Sequence, residues 1–286
     1  MQNLEKNLRT IYSFMHLQEY RNLGTRLSFT INQMQQDNIP VIFSSTSWYS
    51  LLKIQLSSMG RVGMKPLIVT TDTNLSAYLS HTGWIAISVH HSASHYEVTR
   101  RFKSDIYQSF MMLKERIVMH ILTMNRNVLS LDTDVIFFQN FFPVFQREIL
   151  KNDVVGQGVL CDRNNSCRVL CGGIRLFKST ESTIRALQSA ISKIDKGWKH
   201  QDAIDQMMKQ YRLRMSLIGP DKLPNLDQLH SYCYGSVVGI VPNSLVAIHA
   251  TVNPGWKCTK RFAQKLRTSG HAVSTKLEEL RRVGIQ

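Results

Sequence analysis

Two aspartates separated by a single residue offer the clearest chemistry in the sequence. Asp132 and Asp134 follow the strand-forming run 127–131, and the apolar segment 135–138 comes directly after them. Side chains of an extended chain alternate between its two faces, so both carboxylates point the same way. They repel each other unless a cation lies between them, and Mg²⁺ or Mn²⁺ binds carboxylates together with substrate phosphates. The pattern therefore predicts a metal–diphosphate site.

A simple turn with an Asx cap is the alternative explanation of these two aspartates. The apolar residues on both sides favour the metal site, because they place the carboxylates at the edge of a core. An uncompensated charge is costly there, so a cation is the expected partner.

Length, composition and charge narrow the class of protein. The 286 residues, with 43% apolar content, can form one large α/β domain or two small ones. The net charge of +15 indicates an anionic partner. Because Lys and Arg are spread along the chain and no helix-turn-helix, zinc-finger or RNP pattern occurs, we expect a diphosphate, an acidic glycan or a membrane surface rather than nucleic acid.

The sequence leaves the compartment open. No run of 18 apolar residues occurs, so no transmembrane helix is expected. The N-terminal residues are charged and amphipathic, unlike a signal peptide, so the chain is either cytosolic or lacks its targeting segment. Three of the five cysteines, Cys161, Cys167 and Cys171, lie close together and are compatible with a disulfide in a secretory lumen.

Strands are predicted to alternate with helices along most of the chain, which favours a mostly parallel sheet with helices on both faces. A helical segment packed outside the core is expected before residue 40, and three short strands later in the chain are expected to form a smaller second sheet. The predicted strands are 41–43, 65–72, 84–89, 127–131, 154–160 and 169–177, then 213–218, 237–241 and 246–249. The predicted helices are 48–59, 74–80, 105–124, 179–196, 198–211 and 259–267.

Polar residues follow several of the predicted strands, where open α/β sheets bind their ligands. Ser44 and Asp72 lie at such strand ends, as the two aspartates of the acidic segment do. Gly172 and Gly173 open a later strand, where they allow either close approach of the backbone to a ligand or a simple bend. The chain has neither G-x-G-x-x-G after its first strand nor a P-loop, which argues against a dinucleotide oxidoreductase and a P-loop enzyme.

The order of the short motifs is more specific than any one of them. Along the chain stand VLSLDTDVIFF, GGIRLF, HQDAID, YGS and AIHATVNPGWK. This order resembles the nucleotide-diphospho-sugar transferase family of GT-A-fold glycosyltransferases, which includes plant cell-wall xylosyl- and arabinosyltransferases and is related to glycogenin-like enzymes. The resemblance implies a GT-A domain over residues 40–270, between an N-terminal helical extension at 1–39 and a charged tail at 271–286.

The resemblance also implies roles for particular residues. Asp132, Asp134 and His249 would hold Mn²⁺ or Mg²⁺, which is consistent with mixed carboxylate and imidazole ligands. Gln201 and Asp202 would face the reactive side of the sugar. Lys257 would neutralise the departing phosphate. The residues expected to bind the donor are Ser44, Asp72, Lys114, Asp132, Gly172, Gly173, Asn253 and Gly255.

The sequence departs from the family pattern at three places. His200 stands where relatives usually carry Asp, Asp205 where Asn is common, and Cys171 where a small polar residue or Asn is usual. The first departure bears on the choice of sugar and on activity itself. A catalytically degenerate homologue that only binds a nucleotide sugar is therefore kept as an alternative.

A phosphatase of the haloacid dehalogenase type is the other alternative, because its nucleophile motif is also D-x-D-x-[TV] after a strand. Three features argue against it: Ile136 stands where that motif has Thr or Val, the acidic segment lies mid-chain, and no later Asp-Asp pair follows.

The function expected from the resemblance is metal-dependent transfer of a hexosyl or pentosyl group from a UDP-sugar to a glycan or glycoprotein, with retention. Family habit implies the Golgi lumen, and the cytoplasm follows if the chain is complete as given.

Overall fold

A seven-stranded sheet forms the centre of the protein. The computed structural model describes residues 22–89, 105–137, 139–140, 142–161, 167–219, 222–223 and 247–249. The strands are β1 Asn38–Ser44, β2 Leu67–Thr70, β3 Ile85–Ser88, β4 Asn127–Leu131, β5 Val135–Phe137, β6 Val154–Cys161, β7 Cys167–Phe177, β8 Met215–Ile218 and β9 Ala247–His249. The helices are α1 over 22–34, a 3-10 turn Thr46–Trp48, α2 Tyr49–Arg61, α3 Thr73–His81, α4 Asp105–Thr123, α5 Phe142–Ile149, α6 Glu181–Asp195 and α7 His200–Gln210.

The strand order of the main sheet is β3-β2-β1-β4-β7-β6-β8. Strand β7 is antiparallel to both of its neighbours, and the other strands all run in one direction. One face packs on α1, α4, α6 and α7, and the other packs on α2, α3 and α5. The prediction of a mostly parallel sheet with helices on both faces is thus confirmed.

Strand β4 lies in the middle of this sheet and leads directly into the acidic segment. Its predicted bounds are confirmed. Val128 contributes to the core on the α4 side, and Leu129 and Leu131 contribute to the core on the opposite side. A strand buried on both faces is mostly apolar, and β4 accordingly shows no clear alternation, although Ser130 is buried among its apolar residues.

Strand β1 includes Pro40, although the proline was expected to precede the strand. Pairing with β4 begins at Asn38, whereas pairing with β2 begins only at Val41. A proline has no N–H to donate, so it is tolerated where one side of the strand has no partner yet.

The smaller sheet differs from the prediction. Residues 215–218 were expected in it, but β8 instead pairs with β6 at the edge of the main sheet. The second sheet consists of β5 and β9, and β5 was not predicted as one of its strands. The predicted strand 237–241, the predicted helix 259–267 and the C-terminal tail lie outside the described residues.

Three helical expectations also need correction. Helix α1 packs on the core rather than outside it, because Leu27 and Ile31 are buried. Helix α6 was expected from residue 179 but begins at Glu181, and its cap is Thr180, whose hydroxyl accepts from the Thr183 amide. The Ser179 hydroxyl instead donates to Leu122 O. Helix α5 was not predicted, although a proline in its first turn and two apolar residues four apart were signals of it.

None of the helices in the described ranges is long and apolar enough to span a bilayer.

Candidate functional site

The acidic segment is held by hydrogen bonds from three directions. The Asp132 amide donates to Gly173 O at 2.9 Å, and Gln55 Nε2 on α2 donates to Asp132 O at 2.7 Å. The Thr133 hydroxyl donates to Phe43 O on β1 at 2.8 Å, and its side chain is buried. Asp132 and Asp134 are partly exposed. The loop is therefore fixed at the carboxyl end of β4 with its threonine turned inward.

Lys114 on α4 forms an ion pair with the first aspartate. Its Nζ lies 2.7 Å from Asp132 Oδ1, and its side chain is 3% exposed, against 42% for the aspartate. The ammonium also lies 5.8 Å from the centroid of the Phe43 ring. An ammonium buried to this degree needs a charged partner, so the pair fixes the orientation of the Asp132 carboxylate. Lys114 is thus a buried residue of α4, and its contact with the donor stays a prediction.

The second sheet brings residue 249 to the acidic segment. In the antiparallel pairing of β5 with β9, Val135 is opposite His249 and Phe137 is opposite Ala247. The backbone of His249 therefore lies beside the residue that follows Asp134. Among the side chains that the structure describes, no group of three His, Cys, Asp or Glu residues is placed to hold a metal ion. The His249 side chain, like Asn253, Gly255 and Lys257, lies outside that description.

Ser44 and Asp72 lie at the ends of β1 and β2, and both have partners within the protein. Ser44 is buried, with its hydroxyl 3.5 Å from Ser45 O. Asp72 caps α3, with Oδ1 accepting from the amides of Asn74 at 2.8 Å and Leu75 at 3.0 Å. The Thr46 hydroxyl donates to Oδ2. The Thr46 bond, followed by the Leu75 amide, lowers the pKa of Asp72.

We expect Asp72→Ala to lower the free energy of unfolding by about 1 kcal/mol, because it removes the cap of α3. Asp72→Asn is the matched control, since it keeps the acceptor oxygen for the amides. Urea unfolding measures both. An equal loss in the two variants would contradict the capping role, and a fall in UDP affinity in the stable Asn variant would support the predicted contact with the donor.

The two glycines of β7 make different contacts. Gly173 O accepts from the Asp132 amide, so this glycine borders the acidic segment directly. At Gly172, a Cβ atom would lie 2.8 Å from Gln201 Oε1 and 3.2 Å from Arg175 Nη2. The space that a side chain at residue 172 would need is thus filled by two side chains of the protein itself. Contact of either glycine with the donor stays a prediction.

Gln201 lies in the first turn of α7 and reaches across to β7. Its Nε2 donates to Leu170 O at 2.8 Å and to Asp205 Oδ1 at 2.9 Å, and its Oε1 accepts from Arg175. Asp202, the next residue, is exposed. The two residues predicted to face the sugar therefore differ. The Gln201 side chain is hydrogen-bonded within the protein, whereas the Asp202 side chain is exposed.

A buried pair of a histidine and a glutamate beneath α7 was not predicted. His200 Nε2 lies 2.7 Å from Glu115 Oε1, and both side chains are almost fully buried. Burial by itself raises the pKa of Glu115, but the hydrogen bond from His200 and the positive charges of His200, Arg175 and Lys114 outweigh it and lower the pKa. The sequence held one signal of a buried charged group, because Arg175 is the one charged residue in the apolar segment that follows Gly173.

Comparison with known proteins gives a family and a fold. The family model of nucleotide-diphospho-sugar transferases matches residues 64–264, which is more than half of the chain. No curated protein matches the sequence.

Three solved structures of similar fold are distant from this chain in sequence. The bifunctional glycosyltransferase WbbM in its apo form has a TM-score of 0.51 at 10% identity, over 86% of this chain and 52% of its own. The glycosyltransferase GlyE of Streptococcus pneumoniae TIGR4 has a TM-score of 0.49 at 12% identity, over 82% of this chain and 64% of its own. The galactosyltransferase LgtC, solved with donor and acceptor sugar analogues, has a TM-score of 0.46 at 11% identity, over 81% of this chain and 95% of its own. The chain thus spans less than two thirds of the WbbM and GlyE chains.

Likeness at this level of identity shows the fold alone. It confirms the GT-A architecture expected from the order of the motifs, and the family match covers both the acidic segment and the histidine of β9. The chain belongs to the nucleotide-diphospho-sugar transferase family of GT-A-fold glycosyltransferases.

Proposed function

We propose that the protein transfers a glycosyl group from a UDP-sugar to a glycan or glycoprotein acceptor, with Mn²⁺ or Mg²⁺ held by Asp132, Asp134 and His249. Family membership supports the coarser statement, a glycosyltransferase that uses a nucleotide-diphospho-sugar. The observation that carries the metal site is the β5–β9 pairing, because it brings His249 next to the acidic segment from far along the chain.

The chemistry of these three residues suits such a cation. Two carboxylates and an imidazole are ligands that a borderline divalent ion accepts. The Asp132 side chain is 42% exposed despite its bond to Lys114, so it is accessible to a ligand from outside. Asp132, Asp134 and His249 would hold the cation, which would supply positive charge to balance the negative charge that develops on departing UDP.

Other residues of the chain would bind and orient the donor. Lys114 holds the Asp132 carboxylate in one orientation through its 2.7 Å contact. Lys257 is proposed to add positive charge beside the departing phosphate. Asp202, exposed at the start of α7, is proposed to stabilise the positive charge that develops on the sugar as the glycosidic bond breaks. The resemblance implies retention at the anomeric carbon, and it implies the Golgi lumen as the compartment.

Calorimetric titration of UDP tests the proposal directly. We expect UDP to bind in the presence of Mn²⁺ and to lose that binding when EDTA removes the metal. A hydrolysis screen over UDP-sugars then identifies the donor. Absence of UDP binding in both conditions would overturn the proposed nucleotide-sugar site.

The degenerate, binding-only homologue has one observation in its favour. His200 stands where relatives usually carry Asp, and its side chain is buried against Glu115 rather than directed to the surface. Metal-dependent UDP binding without hydrolysis or transfer of any donor sugar would support this second candidate. Family membership argues against the phosphatase reading of the acidic segment.

A further inference from the structure

Arg175 is an unusual residue for the middle of a sheet. It lies on β7 opposite Ser130 of β4, two residues before Asp132, and is only 1% exposed. A guanidinium in such a place is costly unless its donors and its charge are matched. Its partners therefore indicate what the residue is for.

The guanidinium turns towards Cys171 in the middle of its own strand and towards α7. Its Nε donates to Cys171 O at 2.9 Å, and its Nη2 donates to Gln201 Oε1. Its charge also acts on the buried carboxylate of Glu115. Arg175 thus joins β7 to the first turn of α7 from inside the protein.

The Gln201 amide has one orientation because of this contact. A guanidinium can only donate, so the oxygen of the amide must face it and the nitrogen must face the carbonyl of Leu170 and the carboxylate of Asp205. Every polar atom of the Gln201 side chain is then bonded within the protein. A residue held in this way positions its neighbours rather than adapting to a ligand.

The same turn of α7 has a second internal support on α4. Glu115 contacts His200, and the preceding residue, Lys114, contacts Asp132. Two consecutive residues of one helix therefore hold the start of α7 and the acidic segment. The spacing between these two parts of the site depends on buried charges.

We propose that Arg175 is a positioning residue for sugar transfer: acting through Gln201, it holds the first turn of α7, and with it the exposed carboxylate of Asp202, in place beside β7. This inference rests on the proposed function. It assigns Arg175 to the transfer step and not to nucleotide binding, because its contacts lie on the α7 side of the site.

Arg175→Met tests the proposal, with Arg185→Met as a matched control, since Arg185 is exposed on α6. With the donor found in the hydrolysis screen, kcat should fall roughly 10- to 100-fold, as expected for misplacement by about an ångström. The KM for the UDP-sugar and the affinity for UDP with Mn²⁺ should change less than threefold. A proportional loss of UDP binding and turnover would instead indicate general unfolding and would overturn the assignment.

A double variant separates positioning from stability. Replacing both partners of a buried hydrogen bond by apolar residues of similar shape can be nearly neutral in stability. Arg175→Met with Gln201→Met should therefore recover thermal stability relative to Arg175→Met alone, while kcat stays low. Recovery of both stability and turnover would contradict the positioning role.

Hydrogen exchange tests the same inference without an activity assay. The Ala203 amide donates to Lys199 O at 2.9 Å in the first turn of α7. Its exchange should accelerate at least tenfold in Arg175→Met and stay unchanged in Arg185→Met. Unchanged exchange in both variants would overturn the proposal. If the wild-type protein bound no UDP, the proposed function would fail, but this measurement would still decide whether Arg175 holds α7.

Discussion

Asp134→Ala is expected to abolish metal-dependent binding of UDP. The substitution removes one of the two carboxylates proposed to hold the cation, and we expect the UDP affinity in Mn²⁺ to fall about 100-fold or more, equal to about 2.8 kcal/mol. Asp134 is partly exposed, so the fold should be retained and the free energy of unfolding should change by less than about 1 kcal/mol. Titration calorimetry and urea unfolding measure the two effects separately.

Asp134 is a sharper test of the metal site than Asp132. Removal of Asp132 would leave the buried ammonium of Lys114 without its partner, so binding and stability would change together. Asp195→Ala is the matched control, because Asp195 is exposed at the end of α6. Unchanged UDP binding with unchanged dependence on Mn²⁺ in Asp134→Ala would sink the assignment of this aspartate.

The largest expected loss of stability is that of Glu115→Ala. This carboxylate is fully buried with a hydrogen bond to His200, and Arg175 and Lys114 are close enough for their charges to act on it. Removing one member of a buried charged pair costs about 3 to 5 kcal/mol, since the remaining charges lose their compensation. Glu181→Ala is the control: Glu181 pairs with Arg185 on the exposed face of α6, where such a pair contributes about 0.3 to 0.5 kcal/mol. Similar losses in the two variants would contradict the role assigned to Glu115.

The stability that Glu115 contributes should depend on pH in a defined direction. Its pKa is lowered in the folded state relative to its ordinary value of 4.5. A group of this kind binds protons more readily in the unfolded chain, so its contribution is complete above about pH 4.5 and is lost as the pH falls through the folded-state pKa. Urea unfolding of the wild type and of Glu115→Gln should therefore show a difference that narrows only below that pH.

The sheet and the acidic segment were predictable because their signals are local. The bounds of β4 follow from five strand-forming residues between a long helix and two aspartates. The cap role of Asp72 was not predicted, and β7 begins at Cys167, before the two glycines that were expected to open it. The pairing partners of β8 and β9 could not be predicted from local signals. The sequence of a strand of three or four residues does not indicate which other strand it pairs with.

The charged network was missed for a related reason. Lys114 and Glu115 stand in an amphipathic helix, where a charged residue is normally placed on the solvent side. They are buried only because Asp132, Arg175 and His200 arrive from β4, β7 and α7, which are separate in sequence. Arg175 could be noticed in its strand, but Gln201 as its partner could not.

The reversed direction of β7 has a consequence for how the site can vary. Because β7 runs against its neighbours, it begins beyond the carboxyl end of β4, and its pairing with β6 continues to Cys161 and Cys167. The described ends of these two strands, Cys161 and Cys167, therefore lie on the same side of the sheet as the acidic segment. A change of chain length between Cys161 and Cys167 leaves the register of every parallel strand intact. A lineage, or a protein engineer, can thus exchange one short segment without disturbing the sheet that carries the acidic segment.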